Sequence, residues 1–409
     1  MTSNRIFVCV SSTLLGLALA DGVASAQDPC ADEALDNADP CAGDQPPPEP
    51  EPPEPEAPAP EPAAEPAAAE APAEEEAAAP TFTLSGFVNT TYNYNLNRPA
   101  SGTNGFFSYN AQHNSLLLNA AHLVVSGSPT ENLSWTVELD FGADARVNTY
   151  AQVLGFDAMG TPITLPQFFD VQEAYGVYKS GKLGLKVGKF VTYQGIEVIE
   201  SPLNPTISRG YLFGLAEAFY HTGAVVMYQA SDKLDVHVGV IQGWDVLYDT
   251  NRGKMGVVKV GITPNDKAAA TVSAYVGPDL AGNDDDVRIS LDATAVIKPS
   301  PKLDLWVQGN FGNEADSSWF GFGVQPVFRL GDALALGARA EFFKDDGART
   351  GGENQLINVS VAPSYTIAPG VVVRAEARVD IADTDRFDDA DGEPKSNQIV
   401  ALADATISF

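Results

Sequence analysis

The chain has 409 residues and a formal net charge of −30, although only 19% of its residues are charged. This length can form several soluble domains or one large barrel. The near-neutral mean hydropathy of −0.08 excludes a protein built from transmembrane helices. It is compatible with a membrane barrel, because the lumen face of such a barrel is polar.

Residues 1–26 predict a secretory signal peptide. Arg5 gives a short positive start, residues 6–20 form an apolar run, and Ala24-Ser25-Ala26 is a small-x-small cleavage site. The apolar run is too short to span a bilayer stably. A hydrophobic N-terminus kept in the mature protein is the alternative, and export is the favoured interpretation.

Residues 27–80 predict a disordered, acidic, Pro/Ala/Glu-rich spacer. The segment holds sixteen Asp or Glu residues and no Lys or Arg. Such a segment cannot bury enough apolar surface to fold, so we expect an extended chain that is partly polyproline II. Cys30 and Cys41 lie in a repeated Asp-Pro-Cys-Ala motif, and we expect them to form a disulfide in an oxidising compartment.

From Thr81 onward, apolar residues recur at every second position in a long series of segments. Side chains of an extended chain alternate between two faces, so this period predicts β-strands. In the segment 371–381 (VVVRAEARVDI), charged residues occupy one face and apolar residues the other. Sixteen strands are predicted: 81–96, 113–127, 132–142, 170–179, 182–190, 219–230, 233–244, 254–263, 268–277, 287–298, 302–312, 318–330, 333–343, 355–367, 370–381 and 396–409.

The connections between these strands are of two kinds that alternate strictly. Tight turns such as 231–232 and 331–332 alternate with longer polar connections such as 143–169 and 382–395. Outer-membrane barrels have short turns on one side and long loops on the other. We therefore predict an all-β fold over residues 81–409: a transmembrane antiparallel up-and-down β-barrel of about 16 strands, with 14 or 18 as alternatives.

Three strand features fit this prediction less well. Pro326 and Pro363 fall inside predicted strands, where a closed barrel has no edge to accommodate them. Either a bulge absorbs each proline or the predicted register is wrong there. The segment 115–125 (SLLLNAAHLVV) lacks clean alternation.

Aromatic residues near the strand ends predict aromatic belts at the two membrane interfaces, with ordinary β-propensity as the alternative. The chain ends in an alternating strand with a terminal Phe409, which resembles the signal that the barrel assembly machinery reads. The expected partners are outer-membrane lipid and this machinery. A homotrimer is one assembly that the chain could form, and no nucleic-acid partner is expected.

The connection 191–218, between the fifth and sixth strands, is long and unusually apolar. These apolar residues favour a loop that folds back into the barrel. Glu197, Glu200 and Arg209 would then form a charged pore constriction, and charge at a constriction sets ion preference. The alternative is a surface loop that packs on itself or on a neighbouring subunit.

The faces predicted to line the pore are close to balanced in charge. The barrel region has 37 acidic and 23 basic residues, a net charge of −14, and much of the excess lies in the long loops. An acidic mouth concentrates cations, which predicts a weak preference for cations. The predicted pore-lining residues are Glu138, Asp140, Lys182, Lys186, Arg288, Asp292, Asp304, Arg339, Glu341, Arg374, Glu376, Arg378 and Asp380.

Several motifs are similar to those of a known family. They are GFVNTTYNYNLNRP (86–99), DVQEAY (170–175), GKF (188–190), GIEVIESPLNPTISRGYLFG (195–214), HTGA (221–224) and NRGK (251–254). Together they resemble the OmpL-like β-barrel porin family, from about Gly86 to the C-terminus and most strongly up to Gly277. The resemblance implies an outer-membrane β-barrel that acts as a porin, without a defined substrate or defined site residues.

The favoured function is a water-filled diffusion channel in the bacterial outer membrane, with the spacer in the periplasm. The alternative is a structural anchor with a plugged or poorly conducting barrel, whose acidic spacer contacts partners. An enzyme is not expected, because the sequence alone assembles no nucleophile, base and orienting group around His221 or His237. No cofactor is expected. No metal site is expected either, because the segment 387–398 fails at the first and last positions of a calcium loop.

Overall fold

The computed structural model describes residues 81–149 and 168–409, together with the backbone of the short strands Val153–Phe156 and Pro162–Thr164. The predicted signal peptide, spacer and Cys30–Cys41 disulfide lie outside these residues. The chain forms a closed barrel in which neighbouring strands are antiparallel. The barrel strands are β1 (Thr81–Asn95), β2 (Ser115–Thr130), β3 (Leu133–Phe141), β4 (Phe169–Ser180), β5 (Leu183–Val191), β6 (Tyr220–Ser231), β7 (Leu234–Ile241), β8 (Met255–Asn265), β9 (Ala268–Pro278), β10 (Val287–Ser300), β11 (Leu303–Glu314), β12 (Ser317–Arg329), β13 (Leu334–Asp346), β14 (Glu353–Ala368), β15 (Val371–Ala382) and β16 (Asn397–Ser408).

The predicted barrel of sixteen strands is confirmed. Each strand pairs with the strands before and after it, and β1 pairs with β16 to close the wall. The strict alternation of short and long connections is wrong at one place. The connection between β11 and β12 lies on the long-loop side but contains only Ala315 and Asp316, because Glu314 and Ser317 still pair across it. Ala315 takes a φ of 50° in this turn.

The two faces of each strand meet different surroundings. In β15, Ala375, Ala377 and Ile381 are exposed, whereas Arg378 and Asp380 on the other face are fully buried. An apolar outer face and a polar inner face are what a barrel in lipid requires, since lipid cannot satisfy polar groups.

Most exposed aromatic side chains of the barrel strands lie near one of the two ends of the barrel, and Phe322 in the middle of β12 is an exception. Those near the long loops are Tyr92, Tyr94, Phe141, Phe311 and Phe320. Those near the tight turns are Phe82, Tyr178, Tyr228, Phe328, Tyr365 and Phe409. This arrangement is that of the aromatic belts at the two interfaces of outer-membrane barrels.

Two β-bulges re-aim side chains in β2 and β4. The register of β2 against β1 shifts between Asn89 and Thr90, which leaves Asn119 as the extra residue. Asn119 and the adjacent Ala120 are therefore both buried, and this explains the lack of alternation in β2. A second shift, between β3 and β4, leaves Gln172 as the extra residue of β4.

Pro326 and Pro363 lie inside β12 and β14 without a bulge and without a change of register. The pairing of β12 with β13 skips Gln325 and Pro326. The pairing of β14 with β15 skips Ala362 and Pro363. Proline has no N–H to donate, so each residue interrupts the ladder on one side only. Neither of the two alternatives expected from the sequence applies.

The connections on the long-loop side carry small elements of their own. The helix α1 (Ala143–Thr149) follows β3, and Phe387–Asp388 pairs with Pro394–Lys395 between β15 and β16. A 3-10 turn (Ser201–Leu203) and a π-helix (Leu212–Ala216) lie between β5 and β6. None of the residues that the structure describes belongs to a helix long and apolar enough to cross a membrane.

Candidate pore constriction

The connection between β5 and β6, residues 192–219, lies against the inner face of the barrel wall, and we call it the inward loop. Ile207 and Leu212 expose only 0% and 1% of their surface, so the loop is packed rather than open to solvent. Pro202 is the second residue of its 3-10 turn, and the fixed φ of proline suits the first turn of a helix. The sequence thus combines a tight turn with apolar residues that need a buried environment.

Arg339 of β13 is the main anchor of the inward loop. Its guanidinium donates to Glu197 Oε1 at 2.8 Å and to the backbone oxygen of Ser208 at 2.6 Å. The nearest carboxylate oxygens of Glu341 and Glu376 lie 3.8 and 3.7 Å from it. The Arg339 side chain is 0% exposed, and a charge buried to this extent requires compensating partners.

The wall strand β15 binds the backbone of the inward loop. Glu376 accepts hydrogen bonds from the backbone N–H groups of Ile207 and Ser208, at 2.6 and 2.8 Å. Arg374 donates to the backbone oxygen of Ser201 at 3.0 Å. A buried loop needs partners for its backbone polar groups, and here charged wall residues supply them.

The two ends of the inward loop bind a different arc of the wall. The N–H of Gly195 donates to Asp292 of β10 at 3.1 Å, and Gln308 of β11 donates to Glu217 at 2.9 Å. Burial raises the pKa of the Glu217 carboxyl well above its usual range, and the neighbouring charge of Asp292 adds to the shift.

The three residues predicted to form the constriction have different surroundings. Glu197 pairs with Arg339, and Glu200 accepts a hydrogen bond from Gln172 of β4. Arg209 instead donates to backbone oxygens of its own loop, and its guanidinium lies 4.9 Å from the centre of the Tyr109 ring. Arg209 therefore stabilises the fold of the inward loop.

Most of the residues predicted to line the pore lie on the inner face. Those buried there are Asp140, Lys186, Arg288, Asp292, Asp304, Arg339, Glu341, Arg374, Glu376, Arg378 and Asp380, and Glu138 is half-buried. Lys182 is placed differently. It is exposed in the turn before β5, where its Nζ donates to the backbone oxygen of Ala230 at 3.0 Å. The reason is that β5 begins at Leu183, one residue later than predicted.

Several polar residues that hold the inward loop are not predicted from the sequence. Tyr211 donates its hydroxyl to Asp380 at 2.7 Å and its N–H to Glu341 at 2.7 Å. Ser208 donates its hydroxyl to Glu376 at 2.6 Å. The only signal for them is the presence of polar side chains in an otherwise apolar connection.

Comparison with known proteins identifies the family. The family model described as "Putative beta-barrel porin-2, OmpL-like" matches residues 81–409. The chain belongs to this family. The OmpL-like resemblance expected from the sequence is confirmed, and the chain is an outer-membrane porin by family and fold. No match was found among curated proteins.

Solved structures share the barrel fold of this OmpL-like porin. OmpT, an outer membrane protein of Vibrio cholerae, is 14% identical with a TM-score of 0.53, over 81% of this chain and 98% of that chain. An anion-selective porin from Comamonas acidovorans is 9% identical with a TM-score of 0.56, over 81% of this chain and 100% of that chain. At such low identity the likeness concerns the fold alone.

Proposed function

We propose that this OmpL-like porin forms a water-filled diffusion channel for small hydrophilic solutes and ions, narrowed by the inward loop. One observation carries the proposal: the inward loop contacts inward-facing side chains of five wall strands, β4, β10, β11, β13 and β15. A segment held on several sides of a barrel reduces the cross-section that remains for solutes. Charged hydrogen bonds fix its position.

We expect a weak preference for cations. The Glu197–Arg339 pair adds little net charge to the constriction, and the basic Lys186 and Arg288 on the wall oppose the acidic residues there. Acidic residues in the long loops, concentrated at 383–393, attract cations to the mouth. The near balance of charge inside the lumen limits the ion selectivity, and the acidic residues at the mouth make it favour cations.

The test is single-channel conductance of the purified, refolded chain in planar lipid, with the reversal potential measured under a KCl gradient. Discrete steps with a cation-leaning reversal potential are expected. Glu200→Gln should shift the reversal potential away from cations, because it removes a carboxylate from the constriction. Glu131→Gln, in the exposed turn between β2 and β3, is the matched control and should leave the potential unchanged.

Two outcomes would contradict the proposal. An unchanged reversal potential in Glu200→Gln would contradict a role of the inward loop in ion preference. Silence from folded, inserted protein would contradict an open channel.

A structural anchor is the second candidate, and one observation favours it. Tyr211, Leu212, Trp244 and Trp319 belong to a large apolar cluster of buried side chains inside the barrel. If this cluster plugs the barrel, the chain conducts poorly and its main role is to hold the acidic spacer, residues 27–80, toward periplasmic partners. The conductance measurement separates the two candidates.

The proposed partners of this porin contact its C-terminal end and its exposed apolar face. Phe409 is 63% exposed, and it exchanges backbone hydrogen bonds with Gly86 at 3.0 Å. We propose that this end of the wall is read by the barrel assembly machinery and that the spacer lies in the periplasm. The exposed apolar face would contact outer-membrane lipid, and a homotrimer is the assembly that we propose for this porin.

A further inference from the structure

Outside the Arg339 network, the inward loop meets a second cluster of chemically reactive side chains. His122 of β2, Glu138 of β3 and Glu200 of the inward loop each present a ligand atom, and these atoms lie within 4.8 Å of one another. His122 Nε2 is 3.6 Å from Glu138 Oε2. The three residues come from distant parts of the sequence, and the packing of the inward loop brings Glu200 to the other two.

Two buried polar atoms at this cluster accept no hydrogen bond from any described residue. One is Oε1 of Gln172, in a side chain that is 1% exposed. The amide of Gln172 lies between two carboxylates, since its Nε2 donates to Glu200 and, at 3.4 Å, to Glu138. The other atom is Oδ1 of Asp140, in a residue that is 1% exposed; it lies 3.9 Å from Nδ1 of His122.

The cluster places three carboxylates, of Glu138, Asp140 and Glu200, around one imidazole. Lys189 lies in this region but is paired with Asp170 at 3.0 Å. A cation placed between the carboxylates would therefore stabilise their ionised form.

We propose that His122, Glu138 and Glu200 bind a divalent transition-metal ion of the zinc class. One imidazole nitrogen and two carboxylate oxygens suit such an ion, which keeps a fourth position for water or another ligand. Bonds of about 2.1 Å in a tetrahedral site place ligand atoms roughly 3.4 Å apart. His122 Nε2 and Glu138 Oε2 are already close to this separation, so the main adjustment is a movement of the flexible Glu200 side chain.

Two neighbours complete the site. Asp140 faces the second ring nitrogen of His122, and a carboxylate in this position orients a metal-binding histidine and fixes its tautomer. Gln172 presents its unpartnered Oε1 to the ion if its amide rotates by a half turn, which makes it a candidate fourth ligand. The ion would join the inward loop to β2 and β3, an arc of the wall that the Arg339 network does not reach.

The test is isothermal titration of ZnCl₂ into the refolded chain of residues 27–409, which lacks the predicted signal peptide and its Cys9. A Cys30→Ser/Cys41→Ser background removes thiols that bind zinc independently of the site. One Zn²⁺ per chain is expected to bind at this site, and Ca²⁺ is expected to bind far more weakly because it takes six to eight oxygen ligands. His122→Ala should weaken Zn²⁺ binding at least tenfold. His237→Ala is the matched control, because His237 also faces a carboxylate, Asp235, at 3.2 Å on the wall.

Zinc binding that is absent, or that His122→Ala leaves unchanged, would overturn the site. If His122→Ala does not fold, Glu200→Gln in the inward loop is the second variant and should also weaken binding at least tenfold. Co²⁺ gives an independent readout in the unsubstituted site, because four-coordinate cobalt absorbs visible light much more strongly than the hydrated ion. Conductance measured in a chelator tests the channel separately, so the two proposals can fail independently.

Discussion

The strongest test of the inward loop is the removal of its main anchor. Arg339→Gln keeps a polar, shorter side chain but removes the charge that faces Glu197, Glu341 and Glu376. It also removes the donor to the backbone oxygen of Ser208. The expected result is release of the inward loop from β13, while the barrel wall still forms.

The magnitude follows from the burial of the pair. Glu197 and Arg339 expose 2% and 0% of their side chains and are 2.8 Å apart. Removing one partner of such a pair leaves the other charge buried and uncompensated, at a cost of about 3–5 kcal/mol. This cost shifts the equilibrium between the packed and released loop by roughly two to three and a half orders of magnitude.

Limited proteolysis with trypsin measures this release. Arg209 is only 2% exposed, so the bond after it should be protected in the folded wild type and cleaved rapidly in Arg339→Gln. Single-channel conductance should rise in the same variant, because the released loop widens the lumen. Arg329→Gln is the matched control, since Arg329 pairs with Asp304 near the tight turns. Equal cleavage rates and equal conductance in Arg339→Gln and wild type would refute the reasoning.

Three further predictions concern the loop contact, the lipid face and a loop carboxyl. Gly337→Ala should speed cleavage of the inward loop by trypsin, because a Cβ there would lie 2.3 Å from a loop carbonyl oxygen; Gly309→Ala, with no atom within 4 Å, should not. Val359→Arg, at the middle of the lipid face, should lower the free energy of unfolding in urea by about 2–4 kcal/mol, against about 0–1 kcal/mol for Ile367→Arg near the turns. Burial raises the pKa of the Asp245 carboxyl to about 6. The connection between β7 and β8, which contains Asp245, should therefore lose protection from proteases as the pH rises from below 4 through 6, and Asp245→Asn should remove this pH dependence.

The barrel could be predicted from the sequence because its signals are local. The alternation in 371–381 reflects lipid on one side of the strand and water or loop on the other, and each tight turn adds its own signal. The bulges at Asn119 and Gln172 could not be predicted, since a bulge depends on the partner strand as well as on its own residues.

The site was predicted only in outline. Glu197 and Glu200 were identified because charge in an apolar connection is unusual, but their partners lie far away in the sequence. Arg339 is 142 residues from Glu197. His122 and Glu138 gave no metal signal, because ligands on two strands and a distant loop have no characteristic spacing. The sequence predicts Arg209 at the constriction, and its hydrogen bonds to backbone oxygens of its own loop could not be read from the sequence.

The inward loop binds the same arc of the wall that contains the two prolines. The pairing of β12 with β13 is interrupted at Pro326 and the pairing of β14 with β15 at Pro363, so both interruptions lie in the arc from β12 to β15. Arg339 and Glu376, which hold the inward loop, lie on β13 and β15 within this same arc. We expect the hydrogen bonds of the inward loop to compensate in part for the wall hydrogen bonds that are missing in this arc. Release of the loop should then lower the stability of the wall in this arc, although the wall still forms.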